Sequence, residues 1–458
     1  MMAVMGIGTI GALMLVPCCL RRGAGIPAAA RLSITRAATR HMTEGGHAGQ
    51  YIDSIDVAAS ALRAGKLCAF PTETVYGLGA HAFDGDAVAS IFTVKGRPRS
   101  DPLIVHVASA DAAEELVRLD ADGLSLMRQL MASFWPGPLT LVAPAVPELP
   151  PAVTAGTGFV GVRVPDHRRA IELLKAAAVP VAAPSANRFG HVSPTRPEHV
   201  MADLGAHPIF VLMPEGEAAT TAGSSGAAAE TCCDVGIEST VLKVDAVNRE
   251  LLLLRRGGVP EAELQRWLDA TTSTYTLRVQ PPKHAAPPPL PPQSSDDTAD
   301  AAADTPGQEA PGMSLTHYAP DLPSFLVGAS AAGTAGAAGG GGQGALTFDV
   351  RTAVVLDFGA RLVHLKPRAK AYRDLSAGAD ACEAATSVFD ALRWAEGEAA
   401  NGAKCVLLPN VDVDGPQATS SAAAAEHVPA LSDRLYRAAS GRSARLGGDG
   451  SRIVVDTE

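Results

Sequence analysis

Short apolar runs alternate with amphipathic stretches from residue 51 onward. Helical spacing of hydrophobic residues at 57–62, 87–92 and 124–134 predicts three helices. Each is followed by an apolar run typical of a buried strand, at 67–70, 103–107 and 139–142 respectively. Further apolar runs lie at 160–164, 179–183, 209–213, 240–244 and 251–254. This alternation predicts an α/β domain in which helices cover a sheet and loops present polar residues.

A second, smaller α/β unit is predicted in the C-terminal part. Residues 324–327 and 406–408 are typical of buried strands, and apolar residues at helical spacing extend over 388–395 and 431–438. Residues 269–310 mix Thr, Pro, Ala, Gln and Asp, which indicates an extended linker. Two low-complexity tracts, predicted as flexible insertions, interrupt the units: 215–230 and 329–344.

Composition limits the classes of function. The 458 residues can hold two domains, because single cores rarely grow past about 250 residues. The formal net charge of -10 argues against a protein whose whole surface binds nucleic acid, although a local basic pocket stays compatible with it. Seven cysteines without a Cys-x-x-Cys spacing predict neither a zinc site nor a disulfide framework.

The first 50 residues differ from the rest in charge. Glu44 is the first acidic residue, and several arginines precede it among Ala, Ser and Thr. This composition favours a presequence for the mitochondrion or a plastid. The alternatives are an unprocessed tail on a protein of the cytoplasm and a signal anchor. Gly and Pro near the start weaken a spanning helix, so no stable membrane association is expected.

Residues 92–106 (FTVKGRPRSDPLIVH) carry the most informative local pattern. Lys95, Arg97 and Arg99 follow one another closely, Pro98 and Pro102 stiffen the loop, and an apolar strand comes next. An ammonium and two planar guanidinium groups on a preordered loop favour binding of phosphate oxygens. The alternative is a solvated basic turn.

This basic loop is one of a series of short motifs. The others are 71–79 (PTETVYGLG), 134–140 (FWPGPLT), 161–165 (GVRVP), 183–187 (APSAN), 193–195 (SPT), 236–240 (GIEST), 254–255 (LR) and 311–320 (PGMSLTHYAP). In order and spacing the set resembles the YrdC-type threonylcarbamoyl-AMP synthase family. The last motif resembles the link that leads into the extra C-terminal domain of the long, two-domain form of these enzymes.

The resemblance implies a fold. We expect a YrdC-like twisted mixed sheet with helices, linked to a smaller, Rossmann-like α/β domain. The expected segments are a targeting or disordered arm at 1–50, a YrdC-like catalytic domain at 51–268, a linker and pocket-covering segment at 269–320, and an accessory domain at 321–458.

The resemblance also implies an activity. Members of this family make L-threonylcarbamoyladenylate and pyrophosphate from ATP, L-threonine and bicarbonate or CO2. The product serves the threonylcarbamoyladenosine modification of tRNA beside the anticodon, so a threonylcarbamoyl-transfer complex is an expected downstream partner. Magnesium is expected on the ATP phosphates, and no protein metal ligands are indicated. Positioning and charge neutralisation carry such a reaction, so no side-chain nucleophile is required.

The family pattern assigns candidate residues. Lys95 and Arg97 are the catalytic candidates and hold the triphosphate. The other expected nucleotide contacts are Thr154, Ser185, Asn187, Ser193, Arg255 and Tyr318. The expected threonine contacts are Thr72, His106, Arg163 and Ser239, with Arg163 as the bidentate partner of the substrate carboxylate. Because Arg256 stands where the family often has proline, either arginine of this pair is a candidate to face ATP.

Tyr318 supports a further hypothesis. The segment that ends in His317 and Tyr318 is expected to fold back over the pocket and shield the reactive adenylate from water. Truncation near residue 305 is then expected to lower product yield while leaving the core folded.

Two other classes of function remain open. A concave basic surface of the YrdC type can grip double-stranded RNA without chemistry, and weak RNA binding is compatible with either class. Carbamoyltransferases of the hydrogenase-maturation type share the core but add zinc-finger cysteine pairs and an acylphosphatase-like domain, which the sequence does not indicate.

Overall fold

The computed structural model describes residues 48–215, 233–271, 274–280, 307–311, 317–328, 346–411, 425–447 and 450–456. All of these ranges belong to one compact unit, Gly46–Glu458. Nearly all of the predicted N-terminal arm and of both low-complexity tracts, and most of the linker, lie outside the described residues. Every helix in the described ranges is too short or too polar to cross a bilayer.

The N-terminal sheet is mixed, and eleven strands form it among the described residues. They are β1 (Gln50–Ile52), β2 (Cys68–Phe70), β3 (Gly77–His81), β4 (Ile104–His106), β5 (Leu139–Pro144), β6 (Phe159–Arg163), β7 (Val181–Ala182), β8 (Phe210–Leu212), β9 (Thr240–Asp245), β10 (Glu250–Arg255) and β11 (Thr276–Val279). They lie side by side in the order β1-β8-β2-β3-β7-β4-β6-β5-β9-β10-β11. In the middle of the sheet, β4 is parallel to β6 and antiparallel to β7.

The helices that accompany this sheet are α1 (Ile55–Arg63), α2 (Gly85–Lys95), α3 (Ala110–Glu114), α4 (Ala121–Phe134), α5 (Pro151–Thr154), α6 (Arg168–Ala177), α7 (Pro197–Leu204) and α8 (Glu261–Ala270). The sequence fixes both ends of α2. The Asp84 side chain accepts hydrogen bonds from the N–H groups of Asp86 and Ala87, and Gly96 ends the helix with φ 61. Lys95 is therefore the last helical residue, so residues 92–95 of the predicted basic loop belong to α2 and the chain leaves the helix at Gly96.

β3 is a strand that hydrophobic periodicity does not predict. Gly77 and Gly79 lower its strand propensity, yet it pairs with both β2 and β7. A Cβ atom at Gly79 would lie 2.8 Å from Val181 Cγ1, so glycine allows this close approach of neighbouring strands. The 71–79 motif therefore leads into the centre of the sheet.

The C-terminal sheet has seven strands among the described residues. They are β12 (Ser324–Val327), β13 (Thr347–Asp349), β14 (Ala353–Asp357), β15 (Ala371–Asp374), β16 (Cys405–Pro409), β17 (Ser443–Leu446) and β18 (Arg452–Val455). The order β13-β18-β17-β12-β16-β14-β15 contains a parallel core from β17 to β15. Its two long helices are α9 (Ala381–Gly397) and α10 (Val428–Ala438), and short 3-10 turns lie at Val350–Thr352, Val363–Leu365 and Glu398–Asn401.

The α/β fold class predicted from the sequence is confirmed, but the N-terminal sheet extends beyond the predicted 51–268 segment. Gln50–Ile52 pairs in parallel with β8, and Thr276–Val279 pairs in parallel with β10. β11 lies in the stretch predicted as linker. Its exposed threonine and arginine alternate with partly buried Leu277 and Val279, as in a strand at the edge of a sheet.

The two sheets share an apolar interface. One buried cluster joins Val192 and Ile237 of the N-terminal part to Phe389 and Leu431 of the C-terminal helices. Gly236, with φ +71, approaches α9 so closely that a Cβ atom there would lie 2.4 Å from the Thr386 Cα atom. The loops that carry the 193–195 and 236–240 motifs therefore lie between the two sheets.

Candidate active site

A cavity with about 530 Å³ of empty space, part of it open to solvent, lies among the sequence motifs, at the ends of β4, β6 and β10. Among the described residues, its polar lining consists of Thr72, Thr74, Arg97, His106, Arg163, Ser185, Glu238, Ser239, Arg255, His317 and Tyr318. Three of these are arginines and one is a carboxylate. The lining therefore carries an excess of positive charge, which suits an anionic ligand.

Thr72 organises the turn that precedes β3. Its Oγ1 atom accepts hydrogen bonds from the N–H groups of Thr74 and Val75, both at 3.2 Å, and donates to the Val75 carbonyl at 2.6 Å. Thr74 Oγ1 lies 2.8 Å from Thr72 Oγ1 and accepts a hydrogen bond from Arg163 Nη1 at 3.1 Å. Two hydroxyl groups are thus held at fixed positions in the cavity wall.

Lys95 ties the basic loop to the 183–187 motif. Its Nζ atom donates to the Ser185 carbonyl at 2.6 Å and also to the Asn187 carbonyl. Burial, reinforced by neighbouring Arg97, lowers the pKa of Lys95 well below its ordinary value. The Lys95 side chain therefore lies behind the cavity lining, where it holds the motif that forms the wall.

Arg97 lines the cavity and is wrapped by its own loop. Its Nη2 atom lies 3.0 Å from Asp101 Oδ2 and donates to the Pro102 carbonyl at 2.8 Å. Nε donates to the Asp101 carbonyl at 3.1 Å. Arg99, the third cation of the loop, is exposed, so the structure brings only one of the two loop arginines to the cavity.

The Pro-Ser-Ala-Asn turn is fixed by its own asparagine. Asn187 Nδ2 donates to the Arg188 carbonyl at 2.7 Å and to the His191 carbonyl at 2.8 Å. Its Oδ1 atom accepts a hydrogen bond from Ser185 Oγ at 2.5 Å. Ser185 therefore presents an oriented hydroxyl to the cavity, and Asn187 stays behind it.

His106 and Arg163 are cross-strand neighbours at the ends of β4 and β6. Arg163 Nη2 lies 2.7 Å from Glu73 Oε1, and Nε donates to the Gly137 carbonyl at 3.1 Å. Burial, helped by the positive charge of Arg163, lowers the pKa of His106 to about 3. His106 is therefore neutral, and its Nδ1 atom has no hydrogen-bond partner among the described residues.

Arg255 closes the β10 side of the cavity. It donates to the Ser239 carbonyl through Nε and Nη2, at 3.1 and 2.9 Å, and to the Pro311 carbonyl through Nη1 at 3.2 Å. Ser239 Oγ in turn lies 2.7 Å from Thr140 Oγ1. Arg256 contacts Glu261 Oε2 instead, at 3.0 Å, so Arg255 is the member of the pair that faces the cavity.

Glu238 is a cavity residue that the sequence analysis did not single out. Its Oε1 atom accepts a hydrogen bond from Ser193 Oγ at 2.7 Å, and Oε2 accepts one from Arg434 Nε at 2.8 Å. Arg434 lies on α10 and is fully buried. The sequence does carry a signal for the role of Arg434. It falls on the same helix face as Leu431 and Leu435, where a charged residue is unexpected.

Pro311, His317 and Tyr318, which belong to the segment predicted as a cover, line the cavity. The Tyr318 ring lies 5.3 Å from the Phe389 ring, and the Arg434 guanidinium lies 5.1 Å from the Tyr318 ring centroid. Burial, followed by the charge of Glu238, raises the pKa of Tyr318 to about 12, and its hydroxyl has no hydrogen-bond partner in the described part of the chain. Tyr318 is therefore held by its ring.

The structure thus gathers most of the predicted site residues around one cavity. Those that line it are Thr72, Arg97, His106, Arg163, Ser185, Ser239, Arg255 and Tyr318. Lys95, Asn187 and Ser193 each bond directly to a lining residue. Thr154 lies on α5, outside the lining, and its hydroxyl donates to the Pro151 carbonyl at 3.2 Å.

Two family models match the chain. One, described as "Telomere recombination", matches residues 60–225, and the other, described as "Threonylcarbamoyl-AMP synthase, C-terminal domain", matches residues 272–440. The mixed sheet, the arginine-lined cavity and the second α/β unit define a two-domain enzyme of the YrdC-like class.

Curated relatives carry one name. The threonylcarbamoyl-AMP synthase of Pyrococcus abyssi is 37% identical over 273 residues, which is 60% of this chain and 67% of the relative. The Bacillus subtilis enzyme is 37% identical over 58% of this chain and 64% of its own length. That of Schizosaccharomyces pombe is 39% identical over 43% of this chain and 49% of its own length. The chain belongs to the threonylcarbamoyl-AMP synthase family, as the sequence motifs predicted.

A solved structure resembles almost the whole chain. The crystal structure of P. abyssi Sua5 complexed with L-threonine superposes with a TM-score of 0.61 at 28% identity, covering 86% of this chain and 98% of that one. A structure of the same protein with a His and a Tyr replaced by alanine gives a TM-score of 0.59. Both parts of this chain therefore have counterparts in one solved protein.

Proposed function

We infer that this protein synthesises L-threonylcarbamoyladenylate from L-threonine, bicarbonate or CO2, and ATP, with release of pyrophosphate. The observation that carries this conclusion is one covered cavity in which Arg97 and Arg255 lie together with Thr72, His106 and Arg163. Such a cavity offers cations for a polyphosphate and hydroxyl, imidazole and guanidinium groups for a hydroxy amino acid. The relatives named threonylcarbamoyl-AMP synthase support the same activity.

The reaction needs two bond-forming steps. The threonine amine loses a proton and forms an N–C bond to CO2, which gives a carbamate; from bicarbonate, water is also released. A carbamate oxygen then attacks the α-phosphorus of ATP, and the bond from that phosphorus to the pyrophosphate oxygen breaks. Both steps join groups that must be aligned and concentrate negative charge, so positioning and cations carry the catalysis.

The nucleotide end of the cavity is assigned to the basic loop and its neighbours. Arg97 and Arg255 both donate to backbone carbonyls, and Arg97 also pairs with Asp101. These contacts fix the direction of the two guanidinium groups. Planar guanidinium groups suit the oxygens of a triphosphate. Lys95 shapes this end by holding the carbonyls of Ser185 and Asn187, and Ser185 adds a hydroxyl.

The threonine end is assigned to Thr72, His106, Arg163 and Ser239. The solved Sua5 relative with L-threonine bound supports a threonine site in this fold. Arg163 is already paired with Glu73, which fixes its direction, and its guanidinium lines the cavity. Neutral His106, with an unused Nδ1 atom, offers a hydrogen bond without adding positive charge beside the substrate amine.

Magnesium fits this arrangement as an ion carried by the nucleotide. The carboxylate among the described lining residues is Glu238, and both of its oxygens already accept hydrogen bonds, from Ser193 and Arg434. The ion would therefore be held by phosphate oxygens and water, as magnesium often is at nucleotide sites. When bound, it supplies charge neutralisation on the phosphates.

Compartment and partners complete the proposal. The Arg-rich, acid-poor N-terminal composition supports import into the mitochondrion or a plastid. The adenylate would pass to a complex that transfers the threonylcarbamoyl group to tRNA.

The experiment that tests the activity incubates the full chain with ATP, magnesium, bicarbonate and labelled threonine. We expect pyrophosphate release that depends on threonine, together with a labelled mixed adenylate. Salt-sensitive binding of double-stranded RNA without any threonine-dependent pyrophosphate release would favour the RNA-binding alternative.

A further inference from the structure

Arg434 is a charge of the C-terminal sheet unit that reaches the wall of the cavity. It is fully buried, and its Nε atom donates to Glu238 Oε2 at 2.8 Å. Nη2 donates to the Arg256 carbonyl at 2.9 Å, so the same guanidinium also holds the chain beside Arg255. A side chain of α10 therefore stands directly behind the 236–240 motif and the end of β10.

The position of Glu238 gives this contact its importance. Glu238 is the carboxylate among the described lining residues, and it is buried. An unpaired carboxylate there would repel an anionic ligand, because charges interact strongly where water is excluded. Arg434 approaches Glu238 from the side of the C-terminal unit and is therefore placed to offset this charge without occupying the cavity.

The surrounding charges form an alternating row. Arg434 Nη1 lies 2.7 Å from Asp433 Oδ2, and Asp433 Oδ1 lies 3.0 Å from Arg437 Nε. Glu238, Arg434, Asp433 and Arg437 thus alternate in sign and balance one another. Loss of Arg434 alone would leave this row with a net negative charge.

The same guanidinium supports the cover of the cavity. The Arg434 guanidinium lies 5.1 Å from the centroid of the Tyr318 ring. The Tyr318 ring also contacts Phe389, which lies on α9. Arg434 therefore contacts a residue of the wall, Glu238, and a residue of the cover, Tyr318.

We propose that Arg434 is a positioning residue of the active site, supplied by the accessory domain: it neutralises and orients Glu238 so that the cavity accepts the triphosphate of ATP. The proposal rests on the proposed function. It implies that the accessory domain contributes to nucleotide binding.

The test compares Arg434→Met, Glu238→Gln and the double variant in the full chain. We expect Arg434→Met to raise the KM for ATP by about tenfold or more, since one unpaired charge lies beside the phosphates. The KM for threonine should change by less than about twofold, and Glu238→Gln added to Arg434→Met should restore most of the ATP affinity. Arg266→Ala serves as the control, because it breaks an exposed contact to Glu426 between the same two parts of the chain.

The double variant keeps the test decisive if Arg434→Met folds poorly. Replacing both members of a buried ion pair by neutral residues of similar size is often tolerated, whereas removing one member is not. If Arg434 acts through Glu238, the double variant and Glu238→Gln alone should bind ATP within about threefold of each other. A double variant that binds ATP far more weakly than Glu238→Gln, or no more tightly than a folded Arg434→Met, contradicts the proposal.

Calorimetric binding of ATP with magnesium to the same variants separates this inference from the proposed function. If the wild-type chain binds ATP but releases no pyrophosphate with threonine, the proposed activity fails while the Arg434 comparison still stands. If the wild type is active and Arg434→Met matches Arg266→Ala in ATP affinity, the inference alone fails.

Discussion

The two sheet units contribute to the cavity in different ways. The N-terminal sheet supplies side chains from the ends of its strands and from the motif loops, and Arg97, Arg163 and Arg255 are held largely by bonds within that unit. The C-terminal unit supplies faces of α9 and α10, which press on those loops from outside. Groups assigned to substrate contact are therefore positioned locally, whereas closure and charge balance come from distant residues.

The interface between the units also contains buried charged side chains. Buried Asp203 of the N-terminal unit accepts hydrogen bonds from His191 at 2.8 Å and from Arg393 of α9 at 2.9 Å. His191 Nε2 lies 3.0 Å from Glu396, also on α9. Ion pairs of this kind depend on exact partners, so they fix one docked arrangement of the two units.

The comparison predicts that the largest losses of activity follow changes in the basic loop. Lys95→Ala and Arg97→Ala should each lower threonine-dependent pyrophosphate release by about 100-fold or more, because charge neutralisation of the phosphates is lost or misplaced. Arg128→Ala, which removes an exposed arginine paired with Glu114, is the control and should retain activity. Steady-state kinetics with thermal melts measures both effects, and normal activity in folded Lys95 and Arg97 variants would remove this loop from the mechanism.

A smaller effect is expected at the cover. Tyr318→Ala removes the ring that contacts Phe389 and should lower the yield of intact adenylate several-fold relative to the pyrophosphate released, because water reaches the product. Tyr318→Phe keeps the ring and should keep this ratio. Both products can be quantified from the same labelled reaction. An unchanged ratio in a folded Tyr318→Ala variant would exclude the role as a cover.

Substitutions in the charged interface should lower the free energy of unfolding more than they lower catalytic activity. Arg393→Ala leaves Asp203 without its arginine partner and should lower the free energy of unfolding by about 3 kcal/mol. Arg266→Ala, at an exposed pair between the same parts of the chain, should leave the melting temperature almost unchanged. Chemical denaturation of the two variants makes the comparison, and equal stabilities would show that the buried ion pair does not hold the units together.

The smallest predicted effect depends on pH. Burial alone would lower the pKa of His191, but its hydrogen bonds to Asp203 and Glu396 raise the pKa above the ordinary 6.5. A raised pKa in the folded state means that His191 contributes stability fully below about pH 6.5 and loses it as the pH rises through the folded value. The melting temperature should therefore fall above pH 6.5 more steeply for the wild type than for His191→Gln. Parallel profiles would show that His191 does not titrate with folding.

Much of the catalytic end could be predicted from sequence because its residues lie in short motifs. The basic loop, the Pro-Ser-Ala-Asn turn and the Arg163 strand are each recognisable from a few consecutive residues, and their order along the chain resembles the order in the family. The family pattern predicts Thr154 in the nucleotide pocket, but Thr154 lies in a helical turn outside the cavity lining. The family pattern does not decide whether Arg255 or Arg256 faces the cavity. The structure decides it, because Arg256 pairs with Glu261.

Contacts across the two units could not be predicted in this way. Glu238 and Arg434 are 196 positions apart, and their pairing depends on how α10 docks against the first sheet. Strands β3 and β11 were missed for another reason. Glycine at Gly77 and Gly79 and the polar surroundings of Thr276–Val279 hide strands that tertiary pairing stabilises.

The edge strand β1 limits how far this chain can be shortened from its N-terminal side. Gly49 donates a hydrogen bond to the Gly205 carbonyl at 2.9 Å, and Gln50–Ile52 continues the pairing along β8. If the proposed import signal is removed by a peptidase, the cut is expected upstream of Gly49. A cut a few residues further on would remove the outer neighbour of β8 and expose an unpaired backbone edge that favours aggregation.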